Sequence, residues 1–374
     1  MEAHYQKQVG LGVMSGSSLD GLDLAVCSFT YRVLENAHRG LKLVDWEVLA
    51  GETVPFSKEW EERLRTGHRA SGLELAFLHT DFGRLVGRSV QGFVERTGFI
   101  PSFIASHGHT IFHAPESGMT CQIGDGGTIA STAGLPTISD FRNGDIAKGG
   151  QGTPLAPIAD KFLFPGYQFY LNLGGIANIS FQQDGDWEAF DVGPANQVLN
   201  HLAQRKGLAY DRDGVLAAGG QLQPDLLDRL NALPFFAQAH PKSLDNTWIK
   251  EQVIPLFEED PQQVDDQLRT ACEQLAFQIA EAVHEVDLPD TTQQPKMLVT
   301  GGGACNLFLV ECIRRHCAVR YPLEVVVPDA KHIHFKEASL MALLGLLRME
   351  QVPGILPSVT GARKSTVAGA LYLP

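Results

Sequence analysis

The sequence predicts an α/β protein built as two lobes, and three observations carry that expectation. The chain has 374 residues, more than one ordinary hydrophobic core accommodates and close to two domains of typical size. Apolar runs of strand length alternate with stretches whose apolar residues recur at helical spacing. Two strand, glycine-turn, strand openings, at Gly16 and at Gly174, stand about 160 residues apart, one for each lobe, which points to internal duplication.

The elements follow in order. Runs 9–14 and 22–30 are apolar, and Ser15-Gly16-Ser17-Ser18-Leu19-Asp20-Gly21 between them is small and polar, a strand, tight turn, strand signature. A third strand is expected over 41–50. Leu75, Leu78, Phe82, Leu85, Val86 and Phe93 then form one apolar stripe on a helix from about 73 to 96, and 103–107 returns to a short buried strand. Gly144, Gly149, Gly150, Gly152, Pro154 and Pro157 punctuate 139–157, where the first domain boundary is placed. The expected division is 1–138 plus 338–374 for the first lobe and 139–337 for the second.

From Phe169 the opening pattern repeats, with strands expected over 170–173, 177–181 and 187–190. Asp260-Pro261-Gln262-Gln263 offers an N-cap, a proline at N1 and a glutamine at N3. It precedes Val264, Leu268, Ala271, Leu275, Ile279 and Val283 on one helical face. A strand over 297–300 runs into Gly301-Gly302-Gly303 and a helix from about Leu307. Residues 338–349 read as a strongly apolar helix.

Composition narrows the function classes. With 44% hydrophobic and 20% charged residues, the chain is expected to be ordered and globular. No window supplies about 18 consecutive apolar residues, and the polar start lacks the apolar core of a signal peptide; a cytoplasmic protein with no membrane partner is expected. A formal charge of −13 opposes attraction to nucleic acid, so a phosphate ligand here would depend on backbone N–H groups and a metal ion. The six cysteines have no metal-ligand spacing and read as reduced packing thiols.

Several constellations can carry chemistry. The turn within 12–23 combines small residues with two carboxylates, Asp20 and Asp23. Small residues let a phosphate chain approach backbone N–H groups, and a nearby carboxylate can hold the metal that offsets phosphate charge; an ordinary β-hairpin turn fits the same residues. Asn172-Leu173-Gly174-Gly175-Ile176-Ala177-Asn178, Phe190-Asp191-Val192-Gly193-Pro194-Ala195-Asn196 and Thr300-Gly301-Gly302-Gly303-Ala304-Cys305-Asn306 each set glycine at the C-terminal end of a strand, where α/β sheets present ligands. No P-loop motif occurs, and GxGxxG is not cleanly present, which disfavours a dinucleotide fold. His107, His109 and His113 alternate, with His107 and His109 on one face of a strand. No third ligand stands at metal-site spacing, leaving structural or substrate hydrogen-bonding roles. Asp140 and Arg142 fit either a local ion pair or a cleft lining. Glu337 is a first-turn acid that gains from the helix dipole alone.

The segment Gly12-Val13-Met14-Ser15-Gly16-Ser17-Ser18-Leu19-Asp20-Gly21-Leu22-Asp23 resembles the GxMSGTSxDGxD signature of anhydro-N-acetylmuramic acid kinases. Ser106-His107-Gly108-His109-Thr110, Asp140-Phe141-Arg142, Gly149-Gly150-Gln151-Gly152, the three glycine motifs above and Lys336-Glu337-Ala338 follow in that family's order, so the resemblance spans nearly the whole chain. Ser17 stands for the usual Thr and Ala195 for a frequent Gly. Pro241-Lys242-Ser243-Leu244-Asp245-Asn246-Thr247-Trp248 replaces the common PKSTGRE, without its Arg and Glu. The family lies in the actin, hexokinase and heat-shock ATPase superfamily. The resemblance therefore implies two RNase H-like lobes, each a mixed five-stranded sheet flanked by helices, in an actin-like ATPase fold.

It also implies a site. Gly16, Ser17, Ser18, Leu19, Asp20, Gly21, Leu22 and Asp23 would form the first phosphate loop, with Asp20 holding Mg²⁺, and Gly174 and Gly175 the second. Gly301, Gly302, Gly303 and Asn306 would lie against adenosine. His107, His109, Asp140, Gln151, Asn196 and Glu337 would touch the sugar. In 1,6-anhydro-N-acetylmuramic acid, O6 is an ether bridging to C1, with no proton to remove. Asp191 would then serve as general base on a water attacking C1, while O6 takes the γ-phosphoryl group of ATP. N-acetylmuramic acid 6-phosphate and ADP result, a step of cell-wall amino-sugar recycling, and a homodimer is expected. Two other classes remain: a simple hydroxyl-phosphorylating sugar or carboxylate kinase of the same superfamily, and a nucleotide-switched ATPase. The second is disfavoured because no peptide-binding module follows the second lobe.

Overall fold

A computed structural model describes residues 5–16, 18–35, 39–260, 263–288, 294–319 and 322–374. The chain divides into two units, Met1–Pro165 with Phe335–Pro374, and Gly166–His334.

In the first unit β1 (Gln6–Ser15), β2 (Gly21–Leu34) and β3 (Gly40–Pro55) form an antiparallel meander. After the helix Gly72–Thr97, β4 (Phe103–Ser106) joins β1 in parallel. A separate hairpin of β5 (His109–Ala114) and β6 (Met119–Ile123) and the helix Gly126–Ala133 lead to β7 (Thr137–Ser139), parallel to β4. The second unit repeats this scheme. There β8 (Phe169–Leu173), β9 (Ile176–Gln183) and β10 (Asp186–Pro194) make the meander, and β11 (Lys296–Thr300) and β12 (Glu324–Val326) extend it in parallel. The strand orders β3-β2-β1-β4-β7 and β10-β9-β8-β11-β12 are the same path traced twice, so each unit is RNase H-like by its own topology. The first sheet has six strands rather than the expected five, because β13 (Ala370–Tyr372) adds antiparallel to β7.

Burial explains why the central strands read as near-continuous apolar runs. Ala25, Cys27, Phe29 and Tyr31 of β2 pack with the helix Lys336–Met349 on one face. Leu22, Leu24 and Val26 pack with the helix Gly72–Thr97 on the other, the period-2 alternation of a strand covered on both sides. The helix Gly72–Thr97 starts at a capping box of Ser71 and Glu74 and stops at Gly98 in the left-handed region, which fixes its length. In the second unit the helices Val264–His284 and Leu307–Cys317 cover the core around Phe169, Leu171 and Ile179.

Several expectations change. The first boundary falls at 165/166, not 138/139. β7 completes the first sheet, and Ile158, Ala159 and Leu163 join the core under the helix Lys336–Met349; the glycines and prolines of 139–157 mark turns inside the unit. The second boundary moves to 334/335. The long helix starts at Val264 with Gln263 as N-cap rather than at Asp260, and Pro261 and Gln262 lie outside the described residues. His107 and His109 do not share a strand, because Gly108 at φ +75° breaks the chain between β4 and β5. Among the described residues no helix is long and apolar enough to cross a membrane.

Gly12 marks the closest approach in the first unit: a Cβ there would lie 1.7 Å from the Ala338 carbonyl oxygen. Neither backbone can yield alone, so Gly12→Ala is expected to destabilise the protein by about 3 kcal/mol or more. Urea denaturation checks this, and a loss below about 1 kcal/mol would show that the helix slides without penalty.

Candidate functional site

In the first unit the turn between β1 and β2 is organised by its own polar atoms. Ser18 Oγ donates to Asp20 Oδ1 at 2.8 Å, Leu19 takes φ +60°, and Phe56 N donates to the Asp20 carbonyl at 3.4 Å. Asp20 stays exposed, while Asp23 Oδ1 accepts from Thr53 Oγ1 at 2.6 Å. Ser17 lies outside the described residues. Leu22 is a correction: it is 1% exposed in the core and paired in the sheet, so it anchors the turn and offers a ligand nothing. Gly21 is likewise held in the sheet, opposite Pro55.

Beside this turn is a cavity of about 470 Å³ lined by Gly16, Ser18, His107, His109, Arg142 and Glu337, among others. It brings together residues from four separate sequence motifs. Ser15 Oγ and His109 Nδ1 are hydrogen-bonded at 2.9 Å, and Arg142 Nε donates to His107 Nε2 at 3.0 Å. Glu337 reaches solvent through this cavity yet sits deep in it. Burial and then the Asp23 carboxylate raise its carboxyl above the ordinary value, against the pull of Lys336 and Arg142.

Asp140 and Gln151 do not line the cavity. Asp140 turns to Ser139 Oγ at 2.8 Å and Tyr372 Oη at 3.3 Å, so of the Asp140 and Arg142 pair it is the arginine that enters the site. Gln151 is exposed, with its N–H given to the Thr360 carbonyl at 2.7 Å. The loop that carries it hangs on buried Asp145, which accepts from Gly152 N at 2.7 Å and Thr360 Oγ1 at 2.8 Å.

The two cavity histidines are neutral. Burial lowers His107 to about 3, with the Arg142 charge adding to it, and lowers His109 to about 4. An unfolded chain takes up these two protons near pH 6.5, the folded one only near 4 and below. The unfolded state therefore binds more protons across pH 6.5 to 4, and stability must fall as pH falls through that window. The expected slope is about 1.4 kcal/mol per pH unit for each imidazole. Urea midpoints from pH 7 to 5 check this, and His109→Asn should remove about half the slope; an unchanged slope would place the acid sensitivity elsewhere.

In the second unit three glycine motifs converge at the C-terminal end of β8. Asn196 Nδ2 donates to the Leu173 carbonyl at 3.0 Å and Asn196 N to the Gly174 carbonyl at 3.1 Å. Gly301 has φ +81°, and a Cβ on it would lie 2.6 Å from Asn172 Oδ1; one on Gly303 would lie 2.7 Å from Leu173 Cβ. Gly174, Gly175, Gly301 and Gly302 are thus gathered around Asn196, with Gly303 buried against Leu173. Asn306 Oδ1 is engaged otherwise, capping the helix Leu307–Cys317 through Leu309 N at 2.9 Å.

Asp191 sits at a bulge in β10, where its pairing with β9 shifts between Asp191 and Gly193. Such a bulge re-aims the side chain. Asp191 N donates to the Lys242 carbonyl at 2.9 Å, and Asp191 Oδ2 accepts from Leu244 N at 2.8 Å and Ser243 Oγ at 3.2 Å. Burial raises its carboxyl above the ordinary value, and those two hydrogen bonds hold the rise in check. Sequence reasoning missed Ser243 and Leu244 as partners of Asp191, although both lie in a motif it had marked for departing from pattern. Among the described residues no group of three or more His, Cys, Asp or Glu could hold a metal.

A family model described as anhydro-N-acetylmuramic acid kinase matches residues 8–374. The anhydro-N-acetylmuramic acid kinase of Vibrio cholerae is 32% identical, covering 99% of this chain and 99% of its own. That of Bordetella pertussis is 34% identical, covering 99% and 97%. Among solved structures, the activator of the 2-hydroxyisocaproyl-CoA dehydratase from Clostridium difficile aligns over 93% of this chain and 96% of its own. Its identity is 12% and its TM-score 0.42.

Proposed function

The chain belongs to the anhydro-N-acetylmuramic acid kinase family, and from that premise we propose how its residues divide the work of an ATP-dependent sugar kinase. The reaction opens 1,6-anhydro-N-acetylmuramic acid with water and phosphorylates O6. Because O6 is an ether oxygen, the group that needs a base is the water attacking C1, and Asp191 is that base. The observation that carries this reading is its carboxylate. Both described hydrogen bonds fall on Oδ2, and burial raises its proton affinity, as a general base requires.

The turn after β1 and the surface of Gly174, Gly175, Gly301 and Gly302 supply close-approach backbone for ATP. Gly302 is exposed, and a Cβ on it would meet nothing nearer than Asn196 Nδ2 at 3.7 Å, which leaves room for a ligand at this turn. Asp20, exposed and with oxygen donors only, fits Mg²⁺, a hard cation that keeps several waters and few carboxylates. Bound there, Mg²⁺ would supply positive charge against the phosphate oxygens. His109 and Glu337 line the cavity for the sugar, and Asn196 holds the second glycine turn in place.

Turnover in ¹⁸O-labelled water tests this directly. Label is expected on C1 of the product sugar and none in the phosphate ester. Label in the phosphate, or phosphorylation of ordinary sugar hydroxyls with the anhydro-sugar untouched, would replace this reading with a simple kinase.

A further inference from the structure

We propose that His107 is a positioning residue that aims the Arg142 guanidinium into the first-unit cavity as the receptor for an oxyanion of a substrate. The oxyanion is either the sugar's carboxylate or the terminal phosphate of ATP; the inference rests on the kinase reading above and deepens it.

The geometry is determined by donor and acceptor chemistry. A guanidinium only donates, so the 3.0 Å contact from Arg142 Nε makes His107 Nε2 an acceptor. His107 Nδ1 then carries the proton and donates to the Gly108 carbonyl at 3.0 Å. The ring is locked in one neutral tautomer. Its backbone is locked as well, since His107 N donates to the Val13 carbonyl at 3.0 Å, two residues before Ser15. Gly108 cannot carry a side chain, because a Cβ would lie 2.4 Å from the Ile123 carbonyl oxygen.

The arginine is fixed at both ends. Its stem packs where a Cβ on Gly152 would come within 3.3 Å of Arg142 Cβ, which gives the loop at 149–152 a packing role. With Nε taken by His107, the two terminal amino groups remain for the cavity Arg142 lines. That fork matches the two oxygens of a carboxylate or a phosphate. Among the described residues Arg142 forms no ion pair; Glu337 reaches it only as a field across the cavity. A partly buried cation with no counter-charge in direct contact gains when an anion arrives, and His107, being neutral, orients it without neutralising it.

The full-length enzyme tests this with three variants and two sugars. His107→Asn has an amide too short to reach Arg142, His107→Gln restores an acceptor at the right reach, and Arg142→Gln removes the charge. The sugars are 1,6-anhydro-N-acetylmuramic acid and 1,6-anhydro-N-acetylglucosamine, which lacks the carboxylate. His107→Asn is expected to raise one KM by about 10–100-fold, the weight of a hydrogen bond to a charged group, and His107→Gln to restore most of it. Adding His107→Asn to Arg142→Gln should cost no more than about 3-fold further, since the two act as one unit. A rise in sugar KM confined to the muramic substrate assigns the carboxylate; a rise in ATP KM with both sugars assigns the phosphate. Multiplying losses in the double variant, no rescue by Gln, or unmoved KM values would overturn the proposal. Wild-type enzyme inactive on both sugars would instead overturn the kinase reading on which it rests.

Discussion

Asp191→Asn is expected to lower turnover by at least about 10²-fold, the lower end of general-base contributions, while leaving ATP affinity within about 2-fold. The amide keeps the size of the side chain, and its oxygen can still accept from Leu244 N and Ser243 Oγ, the bonds of 2.8 and 3.2 Å that hold the native carboxylate. It cannot take the proton of water. Single-turnover kinetics separates the chemical step from binding. An active Asn variant would mean that another base does the work. A variant that loses nucleotide binding would mean instead that Asp191 organises the segment at 242–244.

Asp20→Asn is expected to cut turnover by a similar or larger factor and to move the magnesium requirement to higher concentration. The change removes one negative charge at an exposed oxygen donor while leaving an oxygen for Ser18 Oγ. Loss of a direct or water-mediated cation contact opposite the phosphates weakens stabilisation of the transferring group. Titrating magnesium at saturating ATP reads this effect. Wild-type rate with wild-type magnesium dependence would remove Asp20 from the metal's surroundings.

Much of the sheet architecture was legible because strands covered on both faces leave long apolar runs, as over Leu22, Leu24, Ala25 and Val26. The turn at Gly301 was legible because close approach and positive φ allow little else there. The short strands β7 and β13 were not, since three residues carry no period; β13 exists only because its partner offers an edge. The boundary at 165/166 was hidden by turns whose anchor, Asp145, meets Thr360 215 positions later. At the site, motif residues could be named but not their partners. Asp191 depends on Leu244 at a separation of 53 residues, and Arg142 on His107 at 35. Leu22 shares the turn motif by sequence, but alternation along β2 sends it into the core.

The return of residues 335–374 to the first unit has a consequence for how the chain is made. On the ribosome, β1, β2 and β3 emerge early, and the helix Gly72–Thr97 can cover one face at once. The opposite face, with Ala25, Cys27, Phe29 and Tyr31, waits for the helix Lys336–Met349. At about 5–20 residues per second, the second unit takes on the order of ten to thirty seconds to be translated first. Being continuous in sequence, the second unit can complete its own core during that interval. The nascent first unit meanwhile holds that face of its sheet open to solvent, with Ala25, Cys27, Phe29 and Tyr31 uncovered until the last forty residues are made.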